Sequence, residues 1–187
     1  GKNIIVLSDE VYEHMAFDNK PHQSVARYDQ LKKQSFIISS FGKTVHTTGW
    51  KIGYVAAPKE LMIEFRKVHQ FLVFAVNHPF QLALTDFLSD KKNYLELKNF
   101  YQQKRDSFRQ LLSASPLQLL PCQGTYFQLV DYSAVSSASD LEFCDWLTTD
   151  IGVAAIPLSV FSRQEQDSRI IRFCFAKENE ELEEALR

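Results

Sequence analysis

Three apolar stretches that end in polar groups set the pattern of the first part of the chain. "IIVLSDE" (4–10) is a continuous apolar run closed by acids, as expected of a parallel strand buried on both faces. "SFIISSF" (35–41) repeats it, and "WKIGYVAAP" (50–58) supplies a third strand stopped by Pro58. Between the first two, "QSVARYDQLKKQ" suits a short helix or turn. Strands with polar residues at their exits predict an open α/β sheet, whose ligands sit outside the strand ends.

From Pro58 to Ser113 the period changes to that of helices. "KELMIEFRKVHQFLVF" is amphipathic, "NHPFQLALTDFLSD" follows a break at His78-Pro79, and "KKNYLELKNFYQQKRDSFRQLLSAS" predicts one long helix, a spine between domains. Beyond it the pattern changes again. "LQLLPCQGTYFQLVDYS" reads as strand, turn and strand, "SDLEFCDWLTTDIG" as a helix capped by Ser139 or Asp140, "VAAIPLSVF" as a short strand, and "RIIRFCFAK" as a last strand before a terminal helix. The expected organisation is a sheet domain over 1–90, a connecting helix over 91–113 and a smaller α+β domain over 114–187.

Composition narrows the function classes. A net charge of -2 with no long basic run leaves no electrostatic footprint for nucleic acid. No apolar stretch approaches the ~18 residues of a membrane span, and no signal-peptide layout opens the chain. Cys122, Cys144 and Cys174 have no paired spacing, so neither a disulfide framework nor a zinc site is expected. The expected setting is the cytoplasm, without nucleic acid, membrane or metal.

The chemistry centres on "SSFGKTVHTTGWKIGY" (39–54) and its Lys43. A phosphate-cradling loop of the form G-x-x-x-x-G-K-[ST] would need glycine at position 37, where Ile37 stands. Ser40 and Lys43 satisfy S-x-x-K, the nucleophile and base of penicillin-recognising enzymes, but the supporting S-D-N and K-T-G elements are imperfect and in the wrong order. Carbonyl chemistry fits better. A strand exit lined with hydroxyls can hold an amine and an anionic cofactor together, with Ser39, Ser40, Thr44 and Lys51 as nearby phosphate-binding groups.

In this order, "SDEVYEHMAF", "SSFGKTVHTTGWKIGY", "GTYFQLVDYS", "GVAAIPLSVF" and "RIIRFCFAK" resemble the C-terminal half of a fold-type I, class I/II aminotransferase dependent on pyridoxal 5'-phosphate. The kynurenine and methionine branch is nearest, and "VHQFLVFAVNHPFQLAL" strengthens the likeness. The resemblance implies the α/β transferase fold, with the C-terminal part of a large cofactor-binding sheet domain and a small α+β domain. It implies that Asp9 pairs with the pyridine nitrogen and keeps the ring an electron sink, and that Tyr12 hydrogen-bonds the phenolic oxygen. It implies that Lys43 carries the cofactor as a Schiff base and then shuttles a proton at the substrate α-carbon. Ser40 and Lys51 match the phosphate ligands; many relatives have arginine at the second position, whose two-pronged contact lysine gives up. Gly49 and Gly53 match positions of close backbone approach.

Arg172 matches the arginine that grips the substrate carboxylate with a planar fork, and Arg169 is its neighbouring decoy. Phe74 matches an aromatic that reaches the neighbouring subunit's active site, with core packing as the competing reading. Tyr126 and Phe161 are candidates for the pocket wall, again against burial in the core. The implied activity is transfer of an amino group from an L-amino acid, methionine or aromatic, to a 2-oxo acid by a homodimer. The same residues would serve a carbon–sulfur β-lyase, or a non-catalytic binding module that retains the pocket. These 187 residues alone are expected to be inactive, with an exposed sheet edge and uncovered apolar surface.

Overall fold

A computed structural model describes residues 4–163 and 168–185. The chain divides into two units, Gly1–Lys98 and Asn99–Arg187.

In the first unit, β1 (Val6–Asp9) pairs in parallel with β2 (Ser35–Ser40), and β3 (Gly53–Ala56) pairs antiparallel with β2, giving the order β1-β2-β3. The link from β1 to β2 contains a turn of 3-10 helix at Val25–Arg27, capped by the Ser24 hydroxyl, and the short helix α1 (Asp29–Lys32). Directly after β2 the chain closes into the single turn α2 (Phe41–Thr44), then a 3-10 turn at Thr48–Trp50 leads back to β3. Helices α3 (Lys59–Leu72) and α4 (His78–Ser89) follow; Asn77 caps the latter by accepting from the Phe80 N–H.

Three expectations need correction here. β1 is not buried on both faces: Leu7 is 70% exposed while Val6 and Ser8 are half-buried, since side chains on a strand alternate between faces. The third strand starts at Gly53 rather than Trp50, because Lys51 takes the left-handed conformation at φ 56°, which no strand contains. The long helix is broken into α5 (Lys92–Leu95) and α6 (Leu97–Leu112). The Asp90 carboxylate accepts from the Lys92 N–H, and the Asn93 amide donates to the Phe87 carbonyl at 2.6 Å, so the first turn is tied to the end of α4.

The second unit is an antiparallel sheet, in the order β4 (Gln118–Leu119), β5 (Phe127–Asp131), β7 (Ile170–Cys174), β6 (Ile156–Pro157), with α7 (Asp140–Trp146) and α8 (Asn179–Glu184). Strict alternation on β5 and β7 buries Gln128, Val130, Ile171 and Phe173, while Leu129 and Arg172 share the other face as directly paired residues. Phe108 of α6 meets Phe173 and Phe175. Buried Gln128 is fully engaged, its amide donating to the Leu120 and Leu129 carbonyls and its oxygen accepting from Arg109 of α6. Ser139 caps α7 in a reciprocal box with Glu142, as the sequence suggested, and Tyr132 stacks on Phe143 at 4.1 Å.

Candidate active site

Parallel pairing puts the C-terminal ends of β1 and β2 side by side, with Asp9 opposite Ile38. Asp9 is exposed at that end, its carboxylate accepting from the Val11 N–H at 3.3 Å, and the turn that follows carries half-buried Tyr12. Two residues beyond Ile38, β2 ends at Ser40 and α2 begins, so Lys43 rises from the first turn after the strand. Ser40 stands at the N-cap of α2 but its side chain makes no capping bond. The Phe41 N–H donates to the Ile52 carbonyl at 3.1 Å, which brings the Lys51–Ile52 segment against Ser40 and Phe41. Asp9, Tyr12, Ser40 and Lys43 therefore come from the exits of β1 and β2, and Lys51 from the adjoining entry to antiparallel β3, all in one unit. Arg172 belongs to the other unit and is described with it below.

Glycine contributes at two places. A Cβ on Gly53 would lie 2.4 Å from the Ser39 carbonyl oxygen, and one on Gly42 would lie 3.1 Å from the Thr48 Cα. Close approach is thus required at Gly53, as expected, and at Gly42, which the sequence reading did not single out. At Gly49 nothing lies within 4 Å, so that expectation is corrected. Gly53→Ala should destabilise the unit by about 1–3 kcal/mol, since rigid backbone must move to relieve the overlap; thermal denaturation of the variant measures this.

Two carboxylates behind the strand exits were not picked out as site residues. Glu10 is 6% exposed and accepts from the Ser8 hydroxyl, the Val25 N–H and the His22 ring, the last at 2.8 Å. Burial alone would raise its pKa, but the bonds from His22, Ser24, Val25 and Ser8 together hold it below the ordinary 4.5. The stabilisation is complete above that ordinary value and is lost as the pH falls through the lower folded one. Glu10→Gln should cost about 2 kcal/mol at neutral pH and make the acid limb of the stability curve shallower, as followed by chemical denaturation between pH 7 and 3.

Glu13 is the second. Its Oε1 accepts from the Ser39 hydroxyl at 2.7 Å and from the Tyr54 hydroxyl at 2.6 Å, tying the Tyr12–Glu13 turn to β2 and β3. Burial and the Glu13 carboxylate push the Tyr54 phenol up to about 12. Ser39 thus spends its proton on Glu13, and the Thr44 hydroxyl turns to the Ser40 carbonyl at 3.4 Å. Of the four groups grouped around the phosphate in the sequence, Ser40 and Lys51 remain turned to neither bond. Both carboxylates stood within a few residues of Asp9, but apart from Ser8 the partners named here lie 12 to 41 positions away in sequence, beyond any local pattern.

In the second unit, Arg172 is half-buried at the centre of β7, with its guanidinium 4.6 Å from the Phe127 ring centre and 5.2 Å from that of Phe161. Among the described residues no carboxylate lies within ion-pair distance of it. The decoy Arg169 lies outside the strand at φ 53°. Arg172, Tyr126 and Phe127 belong to the wall of an apolar cavity of about 680 Å³, while Phe161 is 63% exposed rather than in the core. Phe74, at the end of α3, is 88% exposed and held at φ 63°, which excludes the core-packing alternative within its own unit.

A lysine and an aspartate at adjacent parallel strand exits, on an α/β unit followed by an antiparallel α+β unit, define a class of enzyme scaffold, and the chain belongs to the aminotransferases of class I and II, whose family model matches residues 1–187. Among individual proteins, it is 54% identical over 97% of its length to the methionine aminotransferase of Escherichia coli, of which it covers 47%. It is 34% identical over 99% of its length to the kynurenine–oxoglutarate transaminase of Dictyostelium discoideum, of which it covers 48%. The crystal structure of YbdL from Escherichia coli, reported with a methionine aminotransferase function, superposes with a TM-score of 0.96 at 53% identity, over 100% of this chain and 50% of that one. The chain spans about half the length of the relatives it matches.

Proposed function

We propose that this chain carries the lysine-bearing part of a pyridoxal 5'-phosphate-dependent aminotransferase that moves an amino group from an L-amino acid, methionine or an aromatic one, to a 2-oxo acid. The observation that carries the reading is the gathering of Asp9, Tyr12, Ser40, Lys43 and Lys51 at neighbouring strand ends. The likeness to the methionine aminotransferase of Escherichia coli supports methionine as donor.

The residues present fit the cofactor. Thr47, in the loop between Lys43 and Lys51, has its hydroxyl oxygen shielded from solvent with no hydrogen-bond partner among the described residues. Such an orphan costs about 1–3 kcal/mol unless an acceptor reaches it. The uncommitted Ser40 side chain, the Lys51 ammonium and the close backbone at Gly42 and Gly53 make a setting suited to a phosphate group. When bound, pyridoxal 5'-phosphate supplies an aldehyde that captures amines and a ring that withdraws electrons from the substrate α-carbon.

The chain's own groups do the rest. Ser40 and Lys51 hold the phosphate, as a hydroxyl donor and a point charge. Asp9 holds a proton on the pyridine nitrogen by placing its negative charge beside it. Tyr12 donates a hydrogen bond to the phenolic oxygen. Lys43 would hold the cofactor through its ε-amine and, with that amine free, would take the proton from the substrate α-carbon. Arg172 grips the α-carboxylate through its planar fork and so orients the bond to be broken.

Support for a homodimer comes from the exposed apolar run Phe71, Leu72, Val73 and Phe74, with Phe71 85% and Phe74 88% exposed. We place Phe74 at the partner's substrate site, and the protein in the cytoplasm; no helix among the described residues is long and apolar enough to cross a membrane. The test is a product assay on the full-length protein carrying this sequence, with methionine and a 2-oxo acid. Parallel double-reciprocal plots and formation of the new amino acid are expected. Release of the donor nitrogen as ammonia without any 2-oxo acid would assign a lyase instead.

A further inference from the structure

The geometry points to a two-ring aromatic clamp on Arg172, formed by Phe127 and Phe161, with Asp140 as the positioning residue that holds Phe161 in place. The inference rests on the proposed role of Arg172 as the carboxylate-binding group, and assigns what presets that group.

Arg172 and Phe127 lie on the same sheet face as diagonal neighbours of β7 and β5, since Phe127 pairs with Cys174 and Leu129 with Arg172. That sheet register fixes one ring 4.6 Å from the guanidinium carbon. The other ring, at 5.2 Å, comes from the 3-10 turn Ser159–Phe161, which follows β6. A guanidinium within about 6 Å of two ring centres is attracted by both rings and loses part of its contact with water to them. Its N–H donors then point outward in one plane, the arrangement that meets the two oxygens of a planar carboxylate.

Exposed Phe161 needs something to hold its turn, and the structure supplies it. Asp140, 1% exposed at the first turn of α7, accepts from the Ser159 N–H through Oδ2 and from the Ser159 hydroxyl through Oδ1, each at 2.7 Å. One buried carboxylate thus satisfies both donors of the residue that starts the turn. Asparagine could keep both contacts by reversing one, its oxygen accepting from the Ser159 N–H and its amide donating to the Ser159 hydroxyl, so only a side chain without polar atoms removes the tie. Asp140 touches no reacting group. Its effect on ligand binding passes through Phe161.

The test measures dissociation constants of two unreactive carboxylates, propionate and 3-phenylpropionate, on the cofactor-loaded full-length protein, by calorimetry and competition. Phe161→Leu and Phe161→Ala should weaken both probes by the same factor, about 3- to 30-fold, and leave cofactor affinity unchanged. Asp140→Ala, or Ser159→Ala if the former does not fold, should weaken both probes in the same way. Combining either with Phe161→Ala should weaken them no further than Phe161→Ala alone. A loss confined to 3-phenylpropionate would make Phe161 a wall for the substrate side chain and overturn the clamp. An effect of the Asp140 or Ser159 variant that adds to that of Phe161→Ala would overturn the positioning role. Arg172→Ala separates this proposal from the reading beneath it: unchanged binding of propionate in that variant would remove Arg172 as the carboxylate site.

Discussion

Replacing Lys43 with alanine in the full-length protein should lower the proposed transamination by about 10⁴-fold or more, because in the role proposed for it one side chain provides both the covalent anchor and the proton acceptor at the α-carbon. Lys43 sits in the first turn after β2, half-buried and short of any helix interior, so its loss should change folding stability by no more than about 0.5 kcal/mol. The variant separates chemistry from architecture for that reason. Single-turnover mixing with methionine should show no conversion of the cofactor on the time scale of the wild type, and an exogenous primary amine should restore part of the rate by serving as the missing base. A variant that kept more than about one-tenth of wild-type turnover would take the proton transfer away from Lys43.

Asp9 carries the second large effect. Asp9→Asn keeps size and hydrogen bonding but removes the charge that holds the proton on the pyridine nitrogen, and should reduce turnover by about 10²- to 10³-fold. Asp9→Glu should recover part of that, since the charge returns at a shifted position. Among the described residues the Asp9 carboxylate accepts from the Val11 N–H, a bond that the asparagine variant keeps. Cofactor affinity measured alongside turnover distinguishes lost electron withdrawal, which spares binding, from a collapsed site, which does not.

How far these residues could be read from the chain depends on the range of the interaction involved. β2 and Lys43 were legible because a short apolar run ending in small polar residues is a local signal, and the strand exit follows from it. β7, with Arg172 inside it, was legible as a short apolar run, and a cap at Ser139 or Asp140 was legible at the start of α7, where the structure chooses Ser139. The burial of β1 was not, since an apolar run marks a strand without saying which of its faces another element covers. Lys51 broke the expected third strand because a left-handed residue other than glycine leaves no trace in hydropathy. Glu13, Glu10 and Asp140 were out of reach altogether. Each is defined by partners brought to it by the fold: Tyr54 from 41 positions away for Glu13, His22 from 12 for Glu10, and Ser159 from 19 for Asp140. Aspartate and glutamate near a strand exit or a helix start look alike in sequence whether they meet a ligand, a solvent shell or a buried hydroxyl.

The central claim is that Lys43 is the amine that binds the cofactor, and reduction with borohydride tests it most directly. The full-length protein carrying this sequence would be loaded with pyridoxal 5'-phosphate, reduced to lock any imine, digested and mapped by mass spectrometry. The account predicts a phosphopyridoxyl group on Lys43 and on no other lysine, lost on prior addition of excess methionine. A folded, cofactor-loaded protein labelled at Lys51 or another lysine, with Lys43 unmodified, would contradict it.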